Sequence, residues 1–303
     1  MPFFRYMGKN VFYTEAGSGT PCVFLHGNTA SSKLFELILP LYTRDIRVIR
    51  LDFLGNGMSD RVPEFPEEMW IDQGHQVVEL CRHLDCGAVN LIGTSGGAYA
   101  AINAALEAPE LFCKVVADSF DGGTLPPGFA DRILRERKSA KEDARAREFY
   151  QWCQGEDWES VVDLDTRALV NYEKKHIRLF RVPIERIQVP LLITVSREDE
   201  MLANDMDAEC RRLMEQNPSI SCQIYDAGGH PLILSQAENC GADQDVPAGK
   251  FGRIMKDGQA GRKRERNGIY LEHLFDKPWL TMIQYDQTIT GVYCRLPKGA
   301  RYG

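Results

Sequence analysis

The sequence predicts an α/β protein with a mostly parallel sheet that is covered by helices on both faces. Over the first 240 residues, short apolar segments alternate with longer segments of helical periodicity. The connections between them are short, and a helix between two strands is the usual way to make those strands parallel. Residues 121–187 contain polar helical segments but no convincing strand. They predict a helical insertion that caps one edge of the sheet.

The predicted strands start with a hairpin, bent back at Met7–Lys9, and continue as single apolar segments bounded by polar or glycine-containing turns. In order, they are Phe3–Tyr6, Asn10–Glu15, Cys22–Leu25, Arg47–Leu51, Val89–Ile92, Lys114–Ala117, Pro190–Val195 and Ser221–Tyr225.

The predicted helices are identified by apolar residues three and four positions apart, as on one face of Trp70–Leu84. One helix is expected to begin near Ser31, and another begins at Leu232 and fades before Asn239. The others are Trp70–Leu84, Ala98–Leu106, Asp131–Arg147, Asp163–His176 and Leu202–Glu215.

These elements divide the chain into three parts. Residues 1–120 and 188–240 are predicted to form the core domain, and residues 121–187 the helical cap. Residues 241–303 form an atypical C-terminal extension that is net basic and contains the run Arg262–Arg266. Such a short basic run is typical of a solvated segment rather than a nucleic-acid site.

Composition excludes several classes of protein. The chain has a net charge of −7, which argues against general nucleic-acid binding. It has no apolar stretch long enough for a membrane helix and no secretory signal at its N-terminus. We therefore expect a cytoplasmic protein that binds neither membrane nor nucleic acid, with its nine cysteines reduced. The oligomeric state is left open.

The central motif is Gly93-Thr94-Ser95-Gly96-Gly97, a G-x-S-x-G sequence. It follows the apolar strand Val89–Ile92 and opens the Ala-rich helix Ala98–Leu106, which is the strand–turn–helix setting that this motif requires. The tight turn needs small residues on both sides of the serine. Ser95 is therefore the predicted nucleophile.

A serine hydroxyl needs a base to remove its proton and a carboxylate to orient that base. Of the six histidines, His230 lies in a glycine-rich loop after the last predicted strand and is the predicted base. Asp199, between Glu198 and Glu200 in the loop after Pro190–Val195, is the predicted acid. Asp118, directly after Lys114–Ala117, is the alternative.

The sequence His26-Gly27-Asn28 follows the strand Cys22–Leu25. The backbone N–H of Asn28 is expected to point into the site beside that of Gly96. Two such donors form an oxyanion hole for a tetrahedral intermediate.

Taken together, these motifs resemble the α/β-hydrolase fold superfamily, and most of all its capped serine esterases and C–C hydrolases. The order Ser95, Asp199, His230 matches the nucleophile–acid–base order of that family. The segment Asp52–Ser59 matches its D-x-x-G-x-G-x-S loop, which is interpreted as structural. The resemblance covers residues 10–239 and implies an eight-stranded sheet, a catalytic triad and a helical cap that shapes the acyl pocket. The resemblance does not extend to residues 241–303.

The resemblance implies a serine hydrolase that acts on a small ester, thioester or related acyl substrate and needs no metal or organic cofactor. Ser95 argues against haloalkane dehalogenases and epoxide hydrolases, whose nucleophile is a carboxylate. Two alternatives remain: an acyltransferase that uses the same site, and a non-catalytic ligand receptor on the same fold.

Overall fold

The computed structural model describes residues 2–237, in which eight strands form one sheet. The strands are β1 (Phe3–Tyr6), β2 (Lys9–Ala16), β3 (Thr20–Leu25), β4 (Ile46–Leu51), β5 (Val89–Thr94), β6 (Phe112–Asp118), β7 (Leu191–Ser196) and β8 (Ile220–Tyr225). Their order across the sheet is β1-β2-β4-β3-β5-β6-β7-β8. Strand β2 runs antiparallel to its neighbours β1 and β4, and all other neighbouring strands are parallel. The predicted fold class is confirmed.

Helices connect the strands. They are α1 (Leu39–Tyr42), α2 (Met69–Leu84), α3 (Gly96–Glu107), α4 (Phe129–Glu142), α5 (Ala144–Gln154), α6 (Trp158–Lys174), α7 (Met206–Gln216) and α8 (Leu232–Ser235). The helix expected near Ser31 is a 3₁₀ turn, Ser32–Leu37, followed by the single turn of α1. The extension predicted at residues 241–303 lies outside the described residues.

Strand β3 shows how the sheet is covered on both faces. Val23 and Leu25 belong to the larger core cluster, which includes the apolar faces of α2 and α3. Cys22 and Phe24 point the other way into a second cluster, where the Phe24 ring lies 5.2 Å from the ring of Phe35. A strand buried on both faces appears in sequence as a continuous apolar run, because side chains alternate between the faces.

Helices α4, α5 and α6 lie between β6 and β7 in the chain and pack against one another, and together they form the helical insertion. The single helix predicted over Asp131–Arg147 is wrong: it is broken at Asp143. The carboxylate of Asp143 accepts hydrogen bonds from the amides of Arg145 and Ala146, both at 2.9 Å. An aspartate that caps new amide groups in this way starts a second helix.

The sheet places the predicted site residues at one edge. Strands β3, β5, β6, β7 and β8 are mutually parallel, so their carboxyl ends lie on the same side. The loops or turns that follow β3, β5, β7 and β8 carry Asn28, Ser95, Asp199 and His230, and Asp118, expected directly after its strand, is the last residue of β6. Loops at the carboxyl ends of parallel strands are the usual location of a binding site in an open α/β sheet.

Candidate active site

Ser95 lies at a tight turn between β5 and α3. Its backbone has φ 54° and ψ −123°, a conformation that residues other than glycine rarely adopt. The Ser95 amide donates to the Asp118 carbonyl at 2.8 Å, and the Ser95 carbonyl accepts from the Ala98 amide at 2.9 Å. These two hydrogen bonds fix the strained turn at the start of α3.

The glycines around Ser95 leave no room for a side chain. A Cβ on Gly93 would lie 2.1 Å from the Gly97 carbonyl oxygen, and one on Gly97 would lie 2.3 Å from the Leu25 carbonyl oxygen. A Cβ on Gly27 would lie 2.9 Å from the Cβ of Ser95. Glycine at these positions therefore lets the loop after β3 and the Ser95 turn pack in direct contact.

We expect Gly97→Ala to lower the free energy of unfolding by about 2 kcal/mol or more, because the new methyl group meets backbone that cannot move aside. Urea unfolding measures the loss. The matched control is Gly123→Ala, where the nearest atom is a side-chain oxygen, Glu209 Oε1, at 3.2 Å. Equal losses in the two variants would contradict the packing argument.

His230 and Asp199 are in direct contact. Nδ1 of His230 lies 3.0 Å from both carboxylate oxygens of Asp199. Because the carboxylate only accepts, this contact favours the tautomer with its proton on Nδ1, and Nε2 is then the basic nitrogen. His230 and Ser95 line the same two cavities.

The charges around this pair shift both of its pKa values. Burial alone would lower the pKa of His230, but the charge and hydrogen bond of Asp199, with the charges of Glu200 and Asp118, raise it above its ordinary value. Burial alone would raise the pKa of Asp199. The charge and hydrogen bond of His230, helped by hydrogen bonds from Ser119 and the Met201 amide, hold it below its usual range.

Asp118, the alternative acid, has different partners. Its carboxylate accepts from Thr94 Oγ1 at 2.7 Å, from Thr194 Oγ1 at 2.8 Å and from the Ile233 amide at 3.1 Å. Burial raises the pKa of Asp118 to about 6, although these three hydrogen bonds oppose the rise. Asp118 therefore ties β5 and β7 to the start of α8, the helix that follows His230.

The two residues predicted to form the oxyanion hole, Asn28 and Gly96, lie against each other. An ideal Cβ on Gly96 would lie 3.1 Å from the backbone nitrogen of Asn28 and 1.9 Å from its side-chain oxygen, Oδ1. The Asn28 side chain thus occupies the space beside Gly96. Its Nδ2 donates to Asp165 Oδ2, on α6, at 2.6 Å.

His26 and the loop Asp52–Ser59 have structural contacts. Nε2 of the buried His26 accepts from the Phe53 amide at 3.1 Å, and its Nδ1 lies 2.8 Å from the Gly27 carbonyl oxygen. Burial lowers the pKa of His26. The Asp52 carboxylate accepts from the amides of Ser32 and Met58, at 2.6 and 2.7 Å. These contacts brace the loop after β3.

Two cavities meet at Ser95. The larger has a volume of about 440 Å³, and its apolar lining includes Trp70, Tyr99, Phe129, Ile133 and Leu169. The smaller has a volume of about 110 Å³, and its apolar lining includes Ala30, Leu34, Phe149 and Tyr150. The helical insertion thus contributes to the walls of both cavities.

Sequence reasoning missed the polar residues that the helical insertion brings to the site: Arg132, Glu136, Arg137 and Asp165. The first three line the larger cavity, and the second and third also line the smaller one. The amphipathic pattern of α4 shows that one face is covered, but it does not show that a cavity lies against that face. Asp165 occurs in a polar helical stretch with no motif to mark it.

Within residues 2–237, no group of three histidine, cysteine, aspartate or glutamate side chains is arranged to hold a metal ion. No helix in the same part of the chain is both long and apolar enough to cross a membrane.

The fold and the site define an α/β protein whose candidate site residues lie at the carboxyl ends of its parallel strands. Residues 22–241, well over half of the chain, match the sequence profile of the alpha/beta hydrolase family. The chain belongs to this family. The resemblance inferred from the motifs is confirmed.

Two curated relatives illustrate the similarity. The 2-(acetamidomethylene)succinate hydrolase of Mesorhizobium japonicum is 36% identical over 106 residues, which are 35% of this chain and 37% of the relative. A haloalkane dehalogenase of Agrobacterium fabrum is 31% identical over 136 residues, which are 43% of this chain and 44% of the relative. The chain thus aligns with less than half the length of either protein.

Solved structures share the fold over most of the chain. An esterase from Exiguobacterium antarcticum has a TM-score of 0.66 at 18% identity. The superposition covers 84% of this chain and 98% of the esterase chain. An E-2-(acetamidomethylene)succinate hydrolase has a TM-score of 0.61 at 20% identity, with the same coverage of 84% and 98%. At these identities the similarity establishes the fold alone.

Proposed function

We propose that the chain is a serine hydrolase that cleaves a small ester, thioester or related acyl substrate. The observation that carries the proposal is the contact between His230 Nδ1 and both oxygens of Asp199, at 3.0 Å. It leaves Nε2 of His230 as the base in a cavity that Ser95 also lines. A nucleophile, a base and an orienting carboxylate are what acyl transfer through a covalent intermediate requires.

In the proposed reaction, Nε2 of His230 takes the proton of Ser95 as Oγ attacks the substrate carbonyl. The amides of Asn28 and Gly96 donate to the oxyanion of the tetrahedral intermediate. The carbonyl re-forms as the bond to the leaving group breaks, and the imidazolium protonates that group. Water, deprotonated by His230, then attacks the acyl-enzyme, and collapse of the second intermediate releases the acid and restores Ser95.

The substrate class rests on the nucleophile and on the relatives. The similar proteins include an esterase and a hydrolase, and a serine in the turn after β5 is suited to acyl chemistry. The two cavities allow the two parts of the substrate on either side of the reacting carbonyl to differ in size. The substrate is therefore expected to be a small acyl compound whose two parts differ in size.

A fluorophosphonate probe tests the proposal. It should label the wild-type protein at Ser95 and should not label Ser95→Ala, and a panel of esters of graded acyl length should give a defined optimum. Release of the free acid distinguishes hydrolysis from transfer to an added alcohol. A folded wild-type protein that neither labels nor cleaves any ester would show that the proposal is wrong.

The proposed role of His230 predicts a pH dependence. The base must be neutral, so kcat/KM should rise with pH through a midpoint above the ordinary histidine value of about 6.5. Removing the Glu200 charge by Glu200→Gln should move this midpoint down by a few tenths of a unit, because that charge favours protonated His230.

The control is Glu198→Gln, an equal loss of charge at an exposed position two residues away. It should leave the midpoint close to that of the wild-type protein. If Glu200→Gln leaves the midpoint of the pH profile unchanged or moves it upward, the assignment of His230 as the base is contradicted.

A further inference from the structure

Asp165 of α6 links the helical insertion to the loop that follows β3. Its side chain is only 3% exposed, and its Oδ2 accepts from Asn28 Nδ2 at 2.6 Å. Its Oδ1 accepts from Arg137, on α4, at 3.3 Å. Two helices of the insertion therefore meet at one carboxylate, which binds the side chain of a proposed oxyanion-hole residue.

The Asn28 side chain is held between two neighbours. Its Oδ1 lies 1.9 Å from the ideal Cβ position of Gly96, so it rests directly against that residue. Its Nδ2 is bound by Asp165 on the other side. This one amide group therefore contacts both the turn that carries the Gly96 N–H and the helical insertion.

The loop is also strained beside Asn28. Thr29 has a φ of 58°, a value that costs a β-branched residue free energy, and its Oγ1 donates to the Asn28 carbonyl at 2.6 Å. A strained backbone persists only where surrounding contacts hold it. The bond from Asn28 to Asp165 is such a contact, and it comes from outside the core sheet.

Arg137 holds Asp165 in place. Its guanidinium donates to Glu136 Oε1 at 2.7 Å and to the Tyr150 hydroxyl at 3.4 Å, besides its bond to Asp165. Arg137 is buried, and the three partners lie on α4, α5 and α6. The carboxylate that binds Asn28 is thus fixed by a polar network spanning the helical insertion.

We propose that Asp165 is a positioning residue for the oxyanion hole, acting through its hydrogen bond to the Asn28 side chain; this inference rests on the proposed function. The insertion then does more than enclose the substrate. It sets the distance between the two backbone donors, whose alignment with the developing negative charge determines how much they lower the barrier.

The test is a double-mutant cycle of Asp165→Asn and Asn28→Ala. An asparagine at 165 cannot accept from both Asn28 and Arg137 because one of its two groups is a donor. Each single variant should lower kcat about tenfold or more with little change in KM, since misplaced donors weaken binding of the transition state more than that of the substrate. The double variant should lose no more than the worse single variant, because both break the same bond.

Hydrogen exchange of the segment 26–31 gives a second measurement that needs no activity. Both variants should exchange faster there than the wild-type protein. The matched control is Asp163→Asn, on the same helix, whose 60% exposed side chain is paired with Lys141 at 2.6 Å. It should keep the wild-type kcat and the wild-type exchange.

Additive losses of kcat, or unchanged exchange in segment 26–31, would overturn the proposal. If Asp165→Asn does not fold, kcat and hydrogen exchange of Asn28→Ala alone test the proposal. That variant removes the same hydrogen bond and leaves Asp165 and Arg137 paired. Failure of the proposed function can be distinguished from failure of the Asp165 proposal. In the first case the wild-type protein would neither react with the fluorophosphonate probe nor hydrolyse esters. The exchange measurement would still show whether Asp165 holds the loop.

Discussion

Replacing Ser95 with alanine should reduce kcat by about 10⁴-fold or more while the protein stays folded. Ser95 is the only protein group in the proposed mechanism that forms a covalent bond to the substrate, so its loss leaves only the oxyanion donors and substrate binding. The substitution removes one oxygen and keeps the Cβ, so the packing against Gly27 is unchanged. Initial rates on the best ester of the panel measure the effect, and circular dichroism checks the fold.

The control for this variant is Ser119→Ala. Ser119 also lines the larger cavity, its hydroxyl oxygen accepts from the Leu232 amide at 2.9 Å, and its side chain is hydrogen-bonded to Asp199, but the proposed mechanism gives it no covalent bond to the substrate. Its loss should cost far less than the loss of Ser95. If Ser95→Ala retains more than a few per cent of wild-type activity, another residue is the nucleophile.

The second large effect is expected from the orienting carboxylate. Asp199→Asn should lower kcat by about 10⁴-fold, because an amide facing Nδ1 favours the wrong tautomer of His230 and no longer stabilises the imidazolium. Steady-state kinetics on the same ester measure the loss. The volume of the side chain is unchanged, so the fold should be kept.

Asp118→Asn is the matched comparison, an identical change at another buried aspartate at the carboxyl ends of the parallel strands. It should mainly lower stability, by about 1–3 kcal/mol, because one of the donors from Thr94, Thr194 or Ile233 then faces an amide hydrogen. Its effect on kcat should be far smaller than that of Asp199→Asn. If Asp118→Asn loses most of its kcat and Asp199→Asn keeps a nearly normal kcat, Asp118 is the catalytic acid.

Local sequence signals, together with the resemblance to a known family, are sufficient for the fold and for the choice of candidate residues. Ser95 could be selected because its turn requires small neighbours within two residues, and a G-x-S-x-G motif between a strand and a helix records that requirement directly. His230 and Asp199 followed from their positions after the last strands. Parallel strands carry the residues that follow them to a common edge, so strand order alone brought these candidates together.

Other features depended on contacts that local patterns do not encode. The bond between Asn28 and Asp165 joins residues 137 positions apart, and the periodicity of α6 shows only that Asp165 lies on a helix. The break at Asp143 was missed because the residues on both sides favour helix, and the capping contact is made by one side chain. The boundaries proposed for the cap, 121 and 187, stay a prediction.

The backbone conformation that the proposed nucleophile Ser95 adopts lowers the stability of the fold. A residue held at a φ of 54° costs about 1–3 kcal/mol, which a glycine in the same turn would largely recover. Selection of variants for heat resistance alone should therefore enrich Ser95→Gly, a protein without its proposed nucleophile. Directed evolution of this chain towards thermostability therefore needs an activity screen in every round, because Ser95→Gly raises stability and removes the hydroxyl at the same time.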